Sequence, residues 1–162
     1  MTDLSTNFPA FPPYTYVPGH APHPISHPDG HMRDTTLPET WSNADYFEWG
    51  RRLFNNGFYW EAHEAWEHLW LELGRTTPEA MLVKGLIKLA ASGVKCREGN
   101  AVGAIRHATR AAELLQSDPG SALFENCDLA AVRNVAKQVA SSPSTEFVEP
   151  SSKVVVLPEM QV

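Results

Sequence analysis

From about residue 42 onward, apolar side chains recur at helical spacing. Tyr46, Phe47, Trp49, Gly50, Leu53 and Phe54 predict a first helix. Ser42 or Asn43 can cap it, and Asn55-Asn56-Gly57 closes it, because Asn and Gly accept a left-handed backbone. Ala62, Trp66, Leu69 and Leu73 form the stripe of a second helix, from about Tyr59 to Leu73, closed by Gly74. Thr77-Pro78-Glu79 is a start signal, with Thr as cap and Pro at the first helical position. The third helix runs to about Glu98 with Leu82, Val83, Leu86, Ile87, Leu89, Ala90 and Val94 inward, and Gly99-Asn100 ends it. A fourth spans about Ala101 to Gln116. Its small residues (Ala101, Gly103, Ala104, Ala108, Ala111, Ala112) permit close packing, and Asp118-Pro119-Gly120 stops it. A weaker fifth covers about Asp128 to Ala140. Short connections make successive helices antiparallel neighbours.

The first 40 residues break this pattern. They hold eight of the 13 Pro and four of the seven His, so neither a helix nor a central strand can form there. Phe8, Phe11, Tyr14, Tyr16 and Val17 are more apolar than a solvated linker would carry, so part of the arm is expected to drape over the helices. The tail from Ser141 is rich in Ser and Pro, and its one apolar run, Val154 to Leu157, is expected to lie along the body. The expected architecture is all-α. It has an extended Pro/His-rich arm over 1–40, a bundle of four to five antiparallel helices over 41–140, and an irregular tail over 141–162.

Composition narrows the function classes. At 43% apolar and 20% charged the chain reads as one globular domain. A net charge of −6 argues against nucleic acid, which needs clustered basic surface. Lys84, Lys88 and Lys95 line one face of the third helix, read as a solvated face or as an anion-binding or charge-pairing stripe facing the Glu-rich helix. The N-terminus has no basic start or apolar core of a secretory signal, and GLIKLAASGV is too short to span a bilayer. Two cysteines, Cys96 and Cys127, make no disulfide framework and read as passive small hydrophobes. Cytoplasmic, without a membrane partner, is the expectation; a homo-oligomer is left open.

Chemistry concentrates in WEAHEAWEHLW, Trp60 to Trp70. The Trp and Leu residues can build core. His63, Glu64 and Glu67 are not needed for that. His63 and Glu67, four apart, share a helix face and can supply two ligands to zinc, iron, manganese or nickel, with Glu64 beside them as candidate general base for an attacking water. The metalloprotease pattern His-Glu-x-x-His has its second His replaced by Glu here. Further ligands would come from His23 and His31 in the arm, or from His107 on the fourth helix, itself as readily a packing residue. The competing reading is a charged helix rim, since Glu64 and His68 are also an i, i+4 pair. On a helical wheel Glu61, His68 and Glu72 fall opposite the apolar stripe, as surface residues.

FNNGFYWEAHEAWEHLW, VKGLIKLAASGVKCREGN and GAIRHATRAAELL resemble the bacterial family catalogued as domain of unknown function 309. The upstream YTYVPGHAPHPISHPDGH resembles an arm found in a subset of it. The resemblance covers about Tyr14 to Leu115. It implies a small helical protein described as a predicted metal-dependent hydrolase, an inference from the His-Glu motif. By position it implicates His63, Glu64 and Glu67 on the helix and His23 and His31 in the arm, with His20 and His27 outside the motif.

Two functions follow as expectations. One is a hydrolase with a divalent metal (zinc, manganese or iron) on His63, Glu67, His23 and His31, Glu64 as base, and a small-molecule substrate. The other is a non-catalytic helical adaptor or small-ligand binder, whose His/Glu cluster is a hydrogen-bond network fixing the arm.

Overall fold

Ser42 opens the first helix with a reciprocal cap. Its hydroxyl accepts from the Asp45 N–H, and the Asp45 carboxylate accepts from the Ser42 N–H at 2.8 Å, so two donors left over at a helix start are both used. In the computed structural model, which describes residues 7–32, 37–116 and 120–143, this helix is α1, Asn43–Asn55. The others are α2 (Tyr59–Glu72), α3 (Pro78–Glu98), α4 (Ala101–Leu114) and α5 (Leu129–Ser141), with one 3₁₀ turn at Ala122–Phe124. No strand occurs among the described residues. The protein is all-α. The apolar run Val154 to Leu157 lies outside the described residues.

The expected punctuation operates as physics requires. Thr77 caps α3 by accepting from the Ala80 N–H, and Gly99 closes α3 at φ 80°, a left-handed turn that a Cβ would strain. Asn100 and Asp128 cap α4 and α5 with their side chains. Each helix packs on its successor. Ala104, Ala108 and Ala111 of α4 are fully buried, which lets α4 approach α3 closely enough for the Ser92 hydroxyl to donate to the Ala104 carbonyl at 2.8 Å. The 3₁₀ turn returns to α1, where Phe124 meets Phe47 edge-on at 5.5 Å.

α2 sits between α1 and α3. Trp66 is fully buried, its indole N–H donating to the Phe47 carbonyl of α1 at 3.2 Å. The arm lies across the α1–α2 face. Phe8 and Phe11 both stack on Trp49, Phe11 also on Phe58, while Thr15 and Val17 are buried. Of the five Trp, Trp49 and Trp66 are core, and Trp41, Trp60 and Trp70 pack partly buried against it.

Candidate metal centre

The first polar residue of α2 departs from the helical-wheel expectation. Glu61 is not on the surface: it is 3% exposed. Its carboxylate accepts from the Tyr16 N–H at 3.0 Å, the Thr15 hydroxyl at 2.7 Å and the His31 ring nitrogen Nε2 at 2.9 Å. A buried carboxylate is tolerated only when donors replace its lost hydration, and here three do. Arg97 of α3, itself buried, feels the charge: burial pushes its guanidinium down from the usual range, and Tyr59 and Glu61 partly oppose that. Glu61 is therefore the point at which the arm is fastened to the bundle.

One turn further, α2 presents His63, Glu64 and Glu67. One ligand atom from each lies within 4.8 Å of the others, a group that could hold a metal ion. His63 Nε2 is 3.6 Å from Glu67 Oε2, and His63 Nδ1 is 3.3 Å from Glu64 Oε1. Two donors each ~2.1 Å from one ion stand at most about 4.2 Å apart, so the Nε2–Oε2 separation suits a shared ion. The ring's nearest contacts run from Nε2 to Glu67 and from Nδ1 to Glu64. His63 Nδ1 is buried yet makes no hydrogen bond, because Glu64 lies near it without the alignment a bond requires. An imidazole ring flanked by two carboxylates is a donor set that fits a divalent cation of the zinc, manganese or iron type. The His63 and Glu64 side chains are 28% exposed and Glu67 45%, so solvent and a small molecule can reach them.

His23 and His31 do not join this group. His31 is held on Glu61, with its side chain 4% exposed. His23 Nδ1 accepts from the N–H groups of Ile25 and Ser26, both at 3.2 Å. Those two donors demand the Nδ1 lone pair and leave the proton of a neutral ring on Nε2, the reverse of what a ligand through Nε2 needs. The His23 ring packs edge-on against Tyr16 and Trp60, and Trp60 in turn lies 6.4 Å from the His63 ring. His27 Nδ1 accepts from the Asp29 N–H, another local turn. His68 stacks on Tyr46 at 4.2 Å with its outer edge exposed. Of the lysine stripe, Lys95 pairs with Glu98 at 2.8 Å and Lys84 lies over the Trp70 ring. Burial pushes the Cys96 and Cys127 thiols up to about 11, so neither is a ready nucleophile.

His107, on α4, is partly buried. Burial first, then Lys88, Lys95, Arg106 and His63, lowers its pKa from the usual 6.5. The unfolded chain therefore binds a proton at higher pH than the folded one. Stability attributable to this residue is complete above about pH 6.5 and falls as the pH drops through that value toward the lower folded pKa. A His107→Gln variant is expected to show a flatter loss of melting temperature between pH 6.5 and 5 than wild type. Parallel curves would remove His107 from the acid response.

The fold and the His/Glu group define an all-α bundle protein with a possible metal-binding face on its second helix. Residues 47–107, from α1 into α4, match the family model described as Domain of unknown function (DUF309). No curated protein matches the chain. Among the described residues, no helix is long and apolar enough to cross a membrane.

Proposed function

We propose that His63, Glu64 and Glu67 form the centre of a metal-dependent hydrolase acting on a small molecule. The observation that carries this reading is a solvent-accessible group in which one ligand atom each from His63, Glu64 and Glu67 lies within 4.8 Å of the others. The rival role for these residues, fastening the arm, is taken by Glu61 with Thr15, Tyr16 and His31. That leaves His63, Glu64 and Glu67 without a structural duty, and it gives His23 and His31 the work of seating the arm rather than ligating. A divalent ion held by His63 and Glu67 would polarise a carbonyl or phosphoryl oxygen and make water nucleophilic at neutral pH. Glu64, 3.3 Å from the imidazole's Nδ1, would accept the proton of the attacking water on its carboxylate.

Metal content decides the matter. Protein purified without an affinity tag is expected to bind about one equivalent of manganese or zinc. An ion at 100 times its dissociation constant would raise stability by about 2.7 kcal/mol. His63→Ala and Glu67→Gln are expected to weaken binding at least about tenfold. Both should leave the metal-free stability within about 0.5 kcal/mol, as for other partly exposed positions. Absence of stoichiometric metal with an unmoved melting point, or a His63→Ala loss of stability that is the same with and without metal, would overturn the reading.

A further inference from the structure

The arm and the bundle enclose a cavity of about 480 Å³ that none of His63, Glu64 or Glu67 lines. Its walls are the rings of Phe8, Phe11, Trp41 and Trp49, and its polar side chains include the buried pair His31 and Glu61. The volume falls in the range of small-molecule sites, and so does the chemistry of apolar walls with a few converging polar groups. Three features narrow the ligand. Aromatic walls favour a flat or ring-bearing body. No Lys or Arg lines the cavity among the described residues, whereas the carboxylate of Glu61 does. Arg52 is held over Phe8 at 4.5 Å and paired with Glu48, and Arg97 belongs to α3. Glu61 accepts three hydrogen bonds, and a carboxylate offers about four acceptor positions, so one remains for a ligand donor.

We propose that this cavity is a binding site for a small aromatic amine, its ring against the wall formed by Phe8, Phe11, Trp41 and Trp49 and its nitrogen donating to the Glu61 carboxylate. The site is separate from the His63 group and does not depend on it. The chain's net charge of −6 adds a favourable field for a cationic ligand. Because Glu61 also fastens the arm, the ligand would contact the same carboxylate that closes its own cavity, and occupancy would tighten the arm on the bundle.

Three probes sharing a phenyl ring test the proposal: phenethylamine, 2-phenylethanol and 3-phenylpropionate. Binding to the full chain is followed by NMR shifts of the Trp41 and Trp49 indole N–H signals. Phenethylamine is expected to bind roughly tenfold or more tighter than 3-phenylpropionate, the margin of one charge-assisted hydrogen bond, with 2-phenylethanol between them. Glu61→Gln keeps an acceptor oxygen and the side-chain shape, and is expected to abolish the preference for the amine over the alcohol. Ala10→Trp, at an exposed position on the lining, is expected to block all three probes and is independent of whether Glu61→Gln folds. Equal affinity for the three probes, no shift of either indole at millimolar probe, or shifts unaffected by Ala10→Trp would each refute the site.

Discussion

Glu61→Ala is expected to release the arm from the bundle. The substitution strips the acceptor from three donors, the Tyr16 N–H, the Thr15 hydroxyl and the His31 ring nitrogen. Thr15 is 3% exposed and the His31 side chain 4%, so neither donor recovers a water partner while the arm stays docked. Each buried donor left unpaired costs about 1–3 kcal/mol, which would exceed 3 kcal/mol for the set if nothing moved. Something will move. Peeling away caps the loss at the free energy of docking the arm. Docking includes the stacking of Phe8 and Phe11 on Trp49 and the burial of Val17. The expected signature is therefore local opening. Amides of residues 7–32 should lose protection from hydrogen exchange, and trypsin or chymotrypsin should cut there, while α3 and α4 keep theirs. Glu61→Gln, which retains an acceptor, should show a much smaller change. Unchanged protection of the arm in Glu61→Ala would sink the latch.

The helices could be read in advance because their determinants are local. Ser42 with Asp45, Thr77 with Pro78, and Gly99 each act on backbone groups within one turn, so the sequence contains both partners of the interaction. His63, Glu64 and Glu67 were legible for the same reason: they are neighbours on one turn of helix whatever surrounds them. Glu61 was not. A helical wheel assigns a carboxylate to water by default and knows nothing of a segment 45 residues upstream that folds over that face. Nor does it show that a Tyr16 backbone N–H, invisible in any side-chain pattern, will be a partner. The destinations of His23 and His31 were illegible in the same way. Their residue type suits a metal, but ligation needs a lone pair in the right place, and local turn geometry uses that of His23 while Glu61 holds His31.

Two glycines make α2 the most constrained element, and substituting them should have the opposite sign to helix propensity. Gly50 lies inside α1 and Gly93 inside α3. In an unconstrained helix, replacing an interior Gly by Ala gains about 1 kcal/mol. A Cβ at position 50, however, would overlap the indole of Trp66, and one at position 93 would stand 2.5 Å from Cγ of Tyr59. Both rings belong to α2, and both side chains are fully buried. Trp66 cannot swing aside without losing its hydrogen bond to Phe47, and Tyr59 is packed edge-on against Phe54 at 5.2 Å. Overpacking of this kind costs about 1–3 kcal/mol, so after the propensity gain Gly50→Ala should still destabilise, by up to about 2 kcal/mol. For a chain of this length that corresponds to a melting temperature lower by up to roughly 4–8 °C. Because α2 carries Glu61 and His63 together, the shift should also appear away from the mutation. Gly50→Ala is expected to loosen the arm and to weaken any ion bound at His63 and Glu67, whereas a stabilised protein would mean that α1 and α2 are not in such close contact. Gly93→Ala probes the same helix from its other side. The two substitutions, on α1 and α3, press on α2 at Trp66 and at Tyr59, so their combined cost should exceed the sum of the single ones if α2 is clamped between its neighbours.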